Sequence, residues 1–439
     1  MNPWEGISRP FKIHELRNRV FFTIGLISVY RLGSFIPTPG INAVAFQMFF
    51  AEVQRQMAVA GLFNLFTGGA LERLSIFALG IMPYISASII MSLVTHIIPS
   101  LEKIQKEGAE GTKKISQYTR YLTVLIALIQ AFGMAIGLEM TEYRIAIVTD
   151  PGWGFRIMTV LTMTTGAMFV MWLGEQITEK GLGNGASLLI FANIVVSVPA
   201  GIVSVIQDLF SGEMNILKCA VLLALVLLIV AGVVIMIQGH RKITVQYAKR
   251  IVGRKVYGGQ MSHLPLQINM AGVIPIIFAS SLITFPGMIG GFLGGDWYGN
   301  LLLSIPRWIQ DAFSNLLYAG VTIFFVYFYI SIIFNPNDVA DNLRKSGGFV
   351  PGIRPGRNTA DYIHKILNRI TFVGAMFLAL AAVIPTIALS FLHSPFFFGG
   401  TSIMIVVGVA LDTLRQVESH LMMHHYEGFI KKAKIRGRF

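Results

Sequence analysis

The chain has 439 residues, of which 54% are hydrophobic and only 13% charged, and it carries a formal net charge of +13. Such proportions exclude an ordinary soluble globule. One cysteine, Cys219, excludes an internal disulfide framework or a thiolate metal cage.

Residues 11–19 read either as a short amphipathic helix on the membrane surface or as a plain basic orienting segment. Ten apolar stretches then follow, each long enough to span a hydrocarbon core or nearly so. They cover 20–37 (which includes Arg31), 75–100, 121–138, 157–174, 181–207, 219–238, 268–293, 313–334, 370–393 and 396–411. The last is short but continues with helical character past Asp412. This predicts an all-α polytopic membrane protein. No cleavable leader is expected, because the first apolar run is too long and lacks a small-residue cleavage site.

Between the first two spans, residues 61–66 are apolar, but 67–73 interrupt them with two adjacent glycines and a Glu-Arg pair. Such a half-helix is either covered by protein, or lines a watery cavity, or grazes the outer surface as a loop. Five spans precede the 205–215 loop and five follow it. If the halves are duplicates, the odd number makes them inverted repeats, with a site between them at mid-membrane. Residues 1–204 and 216–439 would be the two halves and 205–215 the hinge.

Lys and Arg are distributed one-sidedly. Of the 35, 28 lie in 1–19, 100–120, 178–183, 239–267, 335–369 and 415–439, which are the termini and alternate loops. Basic loops stay cytoplasmic, so both termini are expected there, in a bacterial inner membrane. Residues 239–267 carry six basic residues and no acid, and 335–369 carry six against three Asp. Orientation needs fewer, so the excess suits an acidic cytoplasmic partner or anionic lipid.

The spans place no Asp, Glu, Lys or His at their centres. Ion-coupled transporters need intramembrane ionisable groups, which weighs against that class. Arg31 and Lys218 lie near span ends and can snorkel. Polar mid-span residues are limited to Gln130, Asn184, Asn193 and scattered Ser and Thr. No GxxxxGK[ST], HExxH or GxSxG motif occurs, so neither nucleotide hydrolysis nor other enzymatic chemistry is expected. His420 and His424 stand at i, i+4 with His425 beside them and read as solvated histidines.

Five segments carry a resemblance that covers essentially the whole chain: SIFALGIMPYISAS at 75–88, WLGEQITEKGLGNG at 172–185, NMAGVIP at 269–275, FVPGIRPG at 349–356 and FGGTS at 398–402. They resemble the SecY family, the large channel-forming subunits of bacterial protein translocons. The resemblance implies ten helices in two inverted halves around a pore. It also implies a mid-membrane ring of aliphatic side chains, here Ile81, Ile85, Ala186, Ile190, Ile277 and Ile405. A ring of branched apolar groups dewets and stops ions while a polypeptide of any sequence can pass. Ala186 departs from the larger aliphatic usual in the family.

The broken segment matches the family's plug, with Leu62, Phe63, Asn64, Leu65 and Phe66 under the ring and Gly68 and Gly69 letting it swing away. Asn184 and Ser92 fall where the family places polar lateral-gate residues, between the second and third spans and the seventh and eighth. Ser92 replaces the more usual Gln, so a gate hydrogen bond from it would be shorter or water-bridged.

The family also implies docking of the SecA ATPase or the ribosome on Arg250, Arg254, Lys255, Arg344, Lys345, Arg354 and Arg357, with Arg354 the leading residue. SecE and SecG subunits, signal-bearing preproteins and membrane lipids are the further partners implied, and no cofactor is. The alternatives are a secondary transporter of a small solute and a scaffold or insertase without a pore.

Overall fold

A computed structural model describes residues 13–56, 58–140, 146–212, 215–247, 250–252, 255–257, 261–292, 307–392 and 399–436. The chain is mostly helical. In order it forms α1 (His14–Gly33), α2 (Ala43–Gln56), α3 (Ala58–Thr67), α4 (Met82–Ile97), α5 (Pro99–Lys106), α6 (Ala109–Met140), α7 (Trp153–Lys180), α8 (Gly185–Ser211) and α9 (Ile216–Gln238). Strands β1 (His240–Tyr247), β2 (Arg250–Val252), β3 (Lys255–Tyr257) and β4 (Met261–Gln267) follow. The remainder is α10 (Ile274–Phe292), α11 (Arg307–Ile333), α12 (Pro336–Lys345), β5 (Gly348–Phe349), α13 (Arg357–Leu392) and α14 (Gly400–Arg436).

Among the described residues, seven helices are long and apolar enough to cross a membrane, or eight if α4 and α5 count as one broken span. Two expected spans fall short for identifiable reasons. In α1 even the stretch 16–33 retains Arg17, Arg19 and Arg31. Helix α4 has only 16 residues, and α5 leaves it at 101°. The bend sits at Ile98, whose extended backbone (φ −96°, ψ 110°) is the conformation forced on a residue before proline, here Pro99. Helix α10, of 19 residues, is described in full only over 274–283, an apolar stretch.

Three boundaries differ from the apolar stretches. Residues 75–81 are turns, not helix: Leu74 has φ +42° and Gly80 φ +55°, and α4 starts only with Pro83 in its first turn. Helix α8 starts at Gly185 because Gly183 takes φ +78° and Asn184 caps the helix. The hinge loop expected at 205–215 is helical as far as Ser211, and α9 begins at Ile216. Residues 14–19 are not a separate surface helix either; they are the first turns of α1.

One apolar core joins α1, α4, α6–α8, α10, α11, α13 and α14 with the short helix α3. Helices α4 and α6 both pack on α10, while α8 packs on α9 and α14. Close crossings rest on glycine. A Cβ on Gly185 would lie 1.9 Å from the Gly174 carbonyl oxygen, so α7 and α8 meet backbone to backbone. A stacked column of Tyr30, Phe77, Phe169 and Trp172, with centroids 5.6–5.8 Å apart, pins the 75–81 turns between α1 and α7.

Outside the spans, β1 pairs antiparallel with both β4 and β5, giving the order β4-β1-β5. This unites the 239–267 and 335–369 loops. Ile243, Leu266, Val350 and Ile363 form a small core beneath them.

Candidate functional site

The six aliphatic positions come from four places in the fold. Ile81 is the N-cap residue of α4 and Ile85 donates its N–H to the Ile81 carbonyl, so the two sit one turn apart. Ala186 and Ile190 occupy the first two turns of α8, Ile277 the first turn of α10 and Ile405 the second turn of α14. Ile81, Ile85, Ile190, Ile277 and Ile405 are all buried, and Ala186 packs half-buried against the same cluster.

Local chemistry fixes these helix starts. The Thr178 hydroxyl accepts from Gly185 N at 2.9 Å and donates to Gly174 O at 2.9 Å, tying the beginning of α8 to α7. Gly183 N donates to Gln416 Oε1 on α14, and Leu182 N to Thr23 Oγ1 on α1. Before α10, Asn269 Nδ2 donates to Gly272 O across a turn in which Gly272 has φ +64°.

Phe63, Leu65 and Phe66 of α3 are buried in that same cluster, and α3 packs on α8 and α10. Leu62 lies within α3. The turns after α3 fold back on it: Asn64 Oδ1 accepts from Glu72 N at 3.1 Å, and Asn64 Nδ2 donates to Glu72 Oε2 at 3.0 Å. Gly68 and Gly69 take φ of +64° and +81°. They differ in surroundings: a Cβ on Gly69 would meet nothing within 4 Å, whereas one on Gly68 would lie 2.4 Å from Arg31 Nη1.

Arg31 therefore does not snorkel. Its guanidinium turns inward, donating to Gly68 O at 2.9 Å. Beside it Asn193, fully buried, donates to Phe66 O at 2.6 Å and to the Tyr30 hydroxyl at 2.9 Å. Asn193 was visible in the sequence as a polar mid-span residue; its partners were not.

Ser92 and Asn184, expected at a lateral gate, are each satisfied on their own helix. Ser92 Oγ donates back to Ser88 O at 2.8 Å, and Asn184 Oδ1 accepts from Ser187 N at 3.2 Å as the cap of α8. Ser92 lines a cavity of about 130 Å³ at the α4 end nearest α5, with Ser88, Thr95, His96, Gln105 and Thr119. The seam between α4 and the α10–α11 pair is bridged by Ser281 Oγ to Met82 Sδ at 3.9 Å and by His96 edge-on to Phe328 at 6.3 Å.

Of the basic residues, Arg344 and Lys345 are exposed in the last turn of α12, where cations also offset the helix dipole. Arg354 is exposed in the 350–356 turn, its carbonyl accepting from Thr359 Oγ1 at 3.1 Å, and Arg357 is exposed at the start of α13. Arg250 and Lys255 lie on the β2–β3 hairpin. Arg254 falls outside the described residues. Among the described residues no group of three His, Cys, Asp or Glu could hold a metal ion.

The family profile for SecY matches residues 75–414. The protein translocase subunit SecY of Escherichia coli (strain K12) is 48% identical over 425 residues, covering 96% of each chain. Two solved structures share the fold at 91% coverage of both chains. One is of a SecY whose plug domain stabilizes the closed state of the translocation channel and maintains a membrane seal (TM-score 0.65, 16% identity). The other is Sec61 in the canine ribosome-channel complex from the endoplasmic reticulum (TM-score 0.58, 15% identity). With the family profile matched over 75–414 and 48% identity to a named relative across 96% of each chain, the chain belongs to the SecY family.

Proposed function

We infer that this chain is the channel subunit of a protein translocase, conducting unfolded polypeptides across the cytoplasmic membrane and releasing hydrophobic segments sideways into lipid. The observation that carries this is that five buried isoleucines and Ala186, near the starts of four helices, belong to the same apolar core as α3. On this reading Ile81, Ile85, Ala186, Ile190, Ile277 and Ile405 are the seal, and residues 62–71 the plug beneath it. Water leaves a constriction of branched apolar side chains, so ions are stopped without any charged filter. The plug domain of the SecY relative supports this assignment.

The finer architecture is ten spans in two inverted halves, with α1, the α4–α5 region and α10 completing the seven long helices. The halves end and begin between α8 and α9. They part along the seam between α4 and the α10–α11 pair, bridged by a thioether contact and a ring edge. The charge asymmetry supports cytoplasmic termini. The joined basic loops are the docking platform for SecA or the ribosome, whose acidic surfaces and phosphates suit exposed Arg and Lys. SecE and SecG complete the assembly. A small-solute transporter has no support: nothing in the comparisons points to it, and the spans lack a coupling-ion site.

A cysteine-free chain (Cys219→Ser) carrying one new cysteine, Ile81→Cys or Ile277→Cys, tests the pathway. A stalled secretory polypeptide crosslinks to either position. An assembled channel that crosslinks at neither overturns the reading.

A further inference from the structure

The C-terminal carbonyls of a helix have no partner within the helix and need one elsewhere when buried. Helix α3 meets this need in an unusual way. Three consecutive carbonyls at its end are bonded by side chains from two other helices. Asn193 Nδ2 on α8 donates to Phe66 O at 2.6 Å, the Tyr30 hydroxyl on α1 to Thr67 O at 3.5 Å, and Arg31 Nη1 to Gly68 O at 2.9 Å. The donors are wired together: Asn193 Nδ2 also donates to Tyr30 Oη at 2.9 Å, and Arg31 Nη1 to Asn193 Oδ1 at 3.5 Å. Asn193 and Tyr30 are both 0% exposed.

The apolar contacts of Phe63, Leu65 and Phe66 are non-directional and tolerate sliding. Hydrogen bonds in a low-dielectric interior do not, and a donor left without its acceptor there is costly. Gly68 is part of the fit. Its φ of +64° and the 2.4 Å and 2.6 Å that would separate a Cβ from Arg31 Nη1 and Asn193 Oδ1 leave space for no side chain.

We propose that Asn193, with Tyr30 and Arg31, is a specificity-determining latch that holds the end of α3 in the closed channel against polypeptides without a competent hydrophobic signal segment. The proposal rests on reading residues 62–71 as the plug. Leaving the closed position breaks all three carbonyl bonds at once. A strongly bound signal segment supplies the free energy for this; a weakly bound one does not. The latch residues thereby set the threshold between accepted and rejected chains, without contacting the chain that is judged.

The test uses the complete channel complex with its motor in proteoliposomes, and measures export of a preprotein whose signal segment carries a charged residue, relative to the intact preprotein. Asn193→Leu keeps the side-chain volume and removes the amide; it raises that ratio about tenfold or more, tenfold being about 1.4 kcal/mol. Tyr30→Phe removes one donor and raises it less. In a channel lacking residues 62–71, Asn193→Leu adds nothing further. If Asn193→Leu does not assemble, Tyr30→Phe alone decides.

An unchanged ratio in assembled latch variants, with a raised ratio on deleting 62–71, overturns the latch and leaves the plug standing. An unchanged ratio on the deletion itself overturns the plug reading and the latch with it. An equal effect of Asn193→Leu with and without residues 62–71 also overturns the latch.

Discussion

Shortening Ile405 should open the seal to ions in proportion to the volume removed. Ile405 is 0% exposed, sits in the second turn of α14 and belongs to the apolar core. Truncating a buried Ile to Ala costs about 2–5 kcal/mol, the transfer of the lost carbons plus the cavity they leave. That cost falls on the closed arrangement, where the side chain is packed, and much less on any arrangement in which the ring is already parted. Taking about 3 kcal/mol, the closed state loses a factor of roughly 10² relative to parted ones. Ile405→Val costs about 0.5–1.5 kcal/mol, so its factor is roughly 2 to 12. Halide efflux from proteoliposomes holding the idle complex, without motor or preprotein, reads this directly. The order Ala > Val > parent is expected. Equal efflux from all three, with the complex intact by size-exclusion chromatography, would refute the claim that Ile405 seals anything.

Ala186→Ile, which restores a branched side chain at a half-buried ring position, should lower the idle efflux below the parent's in the same assay. Gly185→Ala forces a methyl to 1.9 Å from the Gly174 carbonyl and should cost at least about 1–3 kcal/mol, read as a lower thermal midpoint in detergent. Gly174→Ala, whose Cβ would have its nearest neighbour at 3.3 Å (Ile81 Cδ1), should cost less. Arg354→Glu reverses an exposed charge on the basic platform and should abolish motor-driven export while membrane assembly stays normal; unchanged export removes the docking role from this residue.

The apolar stretches were legible because transfer into lipid depends on composition. Where helices begin and end was less so, since hydropathy is indifferent to backbone conformation. Residues 75–81 are as apolar as the helix that follows, yet the positive φ of Leu74 and Gly80 keeps them out of it. The short helices α2, α5 and α12 are too brief or too polar to register as spans. Strand β1, HRKITVQY, reads as a charged loop because its exposed first three residues are His, Arg and Lys, and its partner β5 lies far along the chain. Of the site, the aliphatic positions followed from the resemblance, since an isoleucine in a span is otherwise unremarked. Asn193 could be flagged on physical grounds, because a lone amide within a span demands a partner. That its partners are Tyr30 and the Phe66 carbonyl is a non-local fact no spacing rule contains. Arg31 misled in the opposite direction: proximity to a span end suggested escape to water, and the end of α3 offered it a nearer acceptor.

The pairing of β1 with β5 also has a consequence in time. Gln246 faces Phe349 and Tyr247 faces Gly348 across a connection that holds α10 and α11. At typical synthesis rates of about 5–20 residues per second, the roughly hundred intervening residues delay closure of this sheet by about 5–20 seconds. During that interval α9 has already been made while β1 lacks one of its two neighbours. The sheet is therefore completed only after α10 and α11 have been synthesised. Helices α13 and α14, with Ile405, come later still, so the sheet joining the two loops closes before the aliphatic cluster is complete.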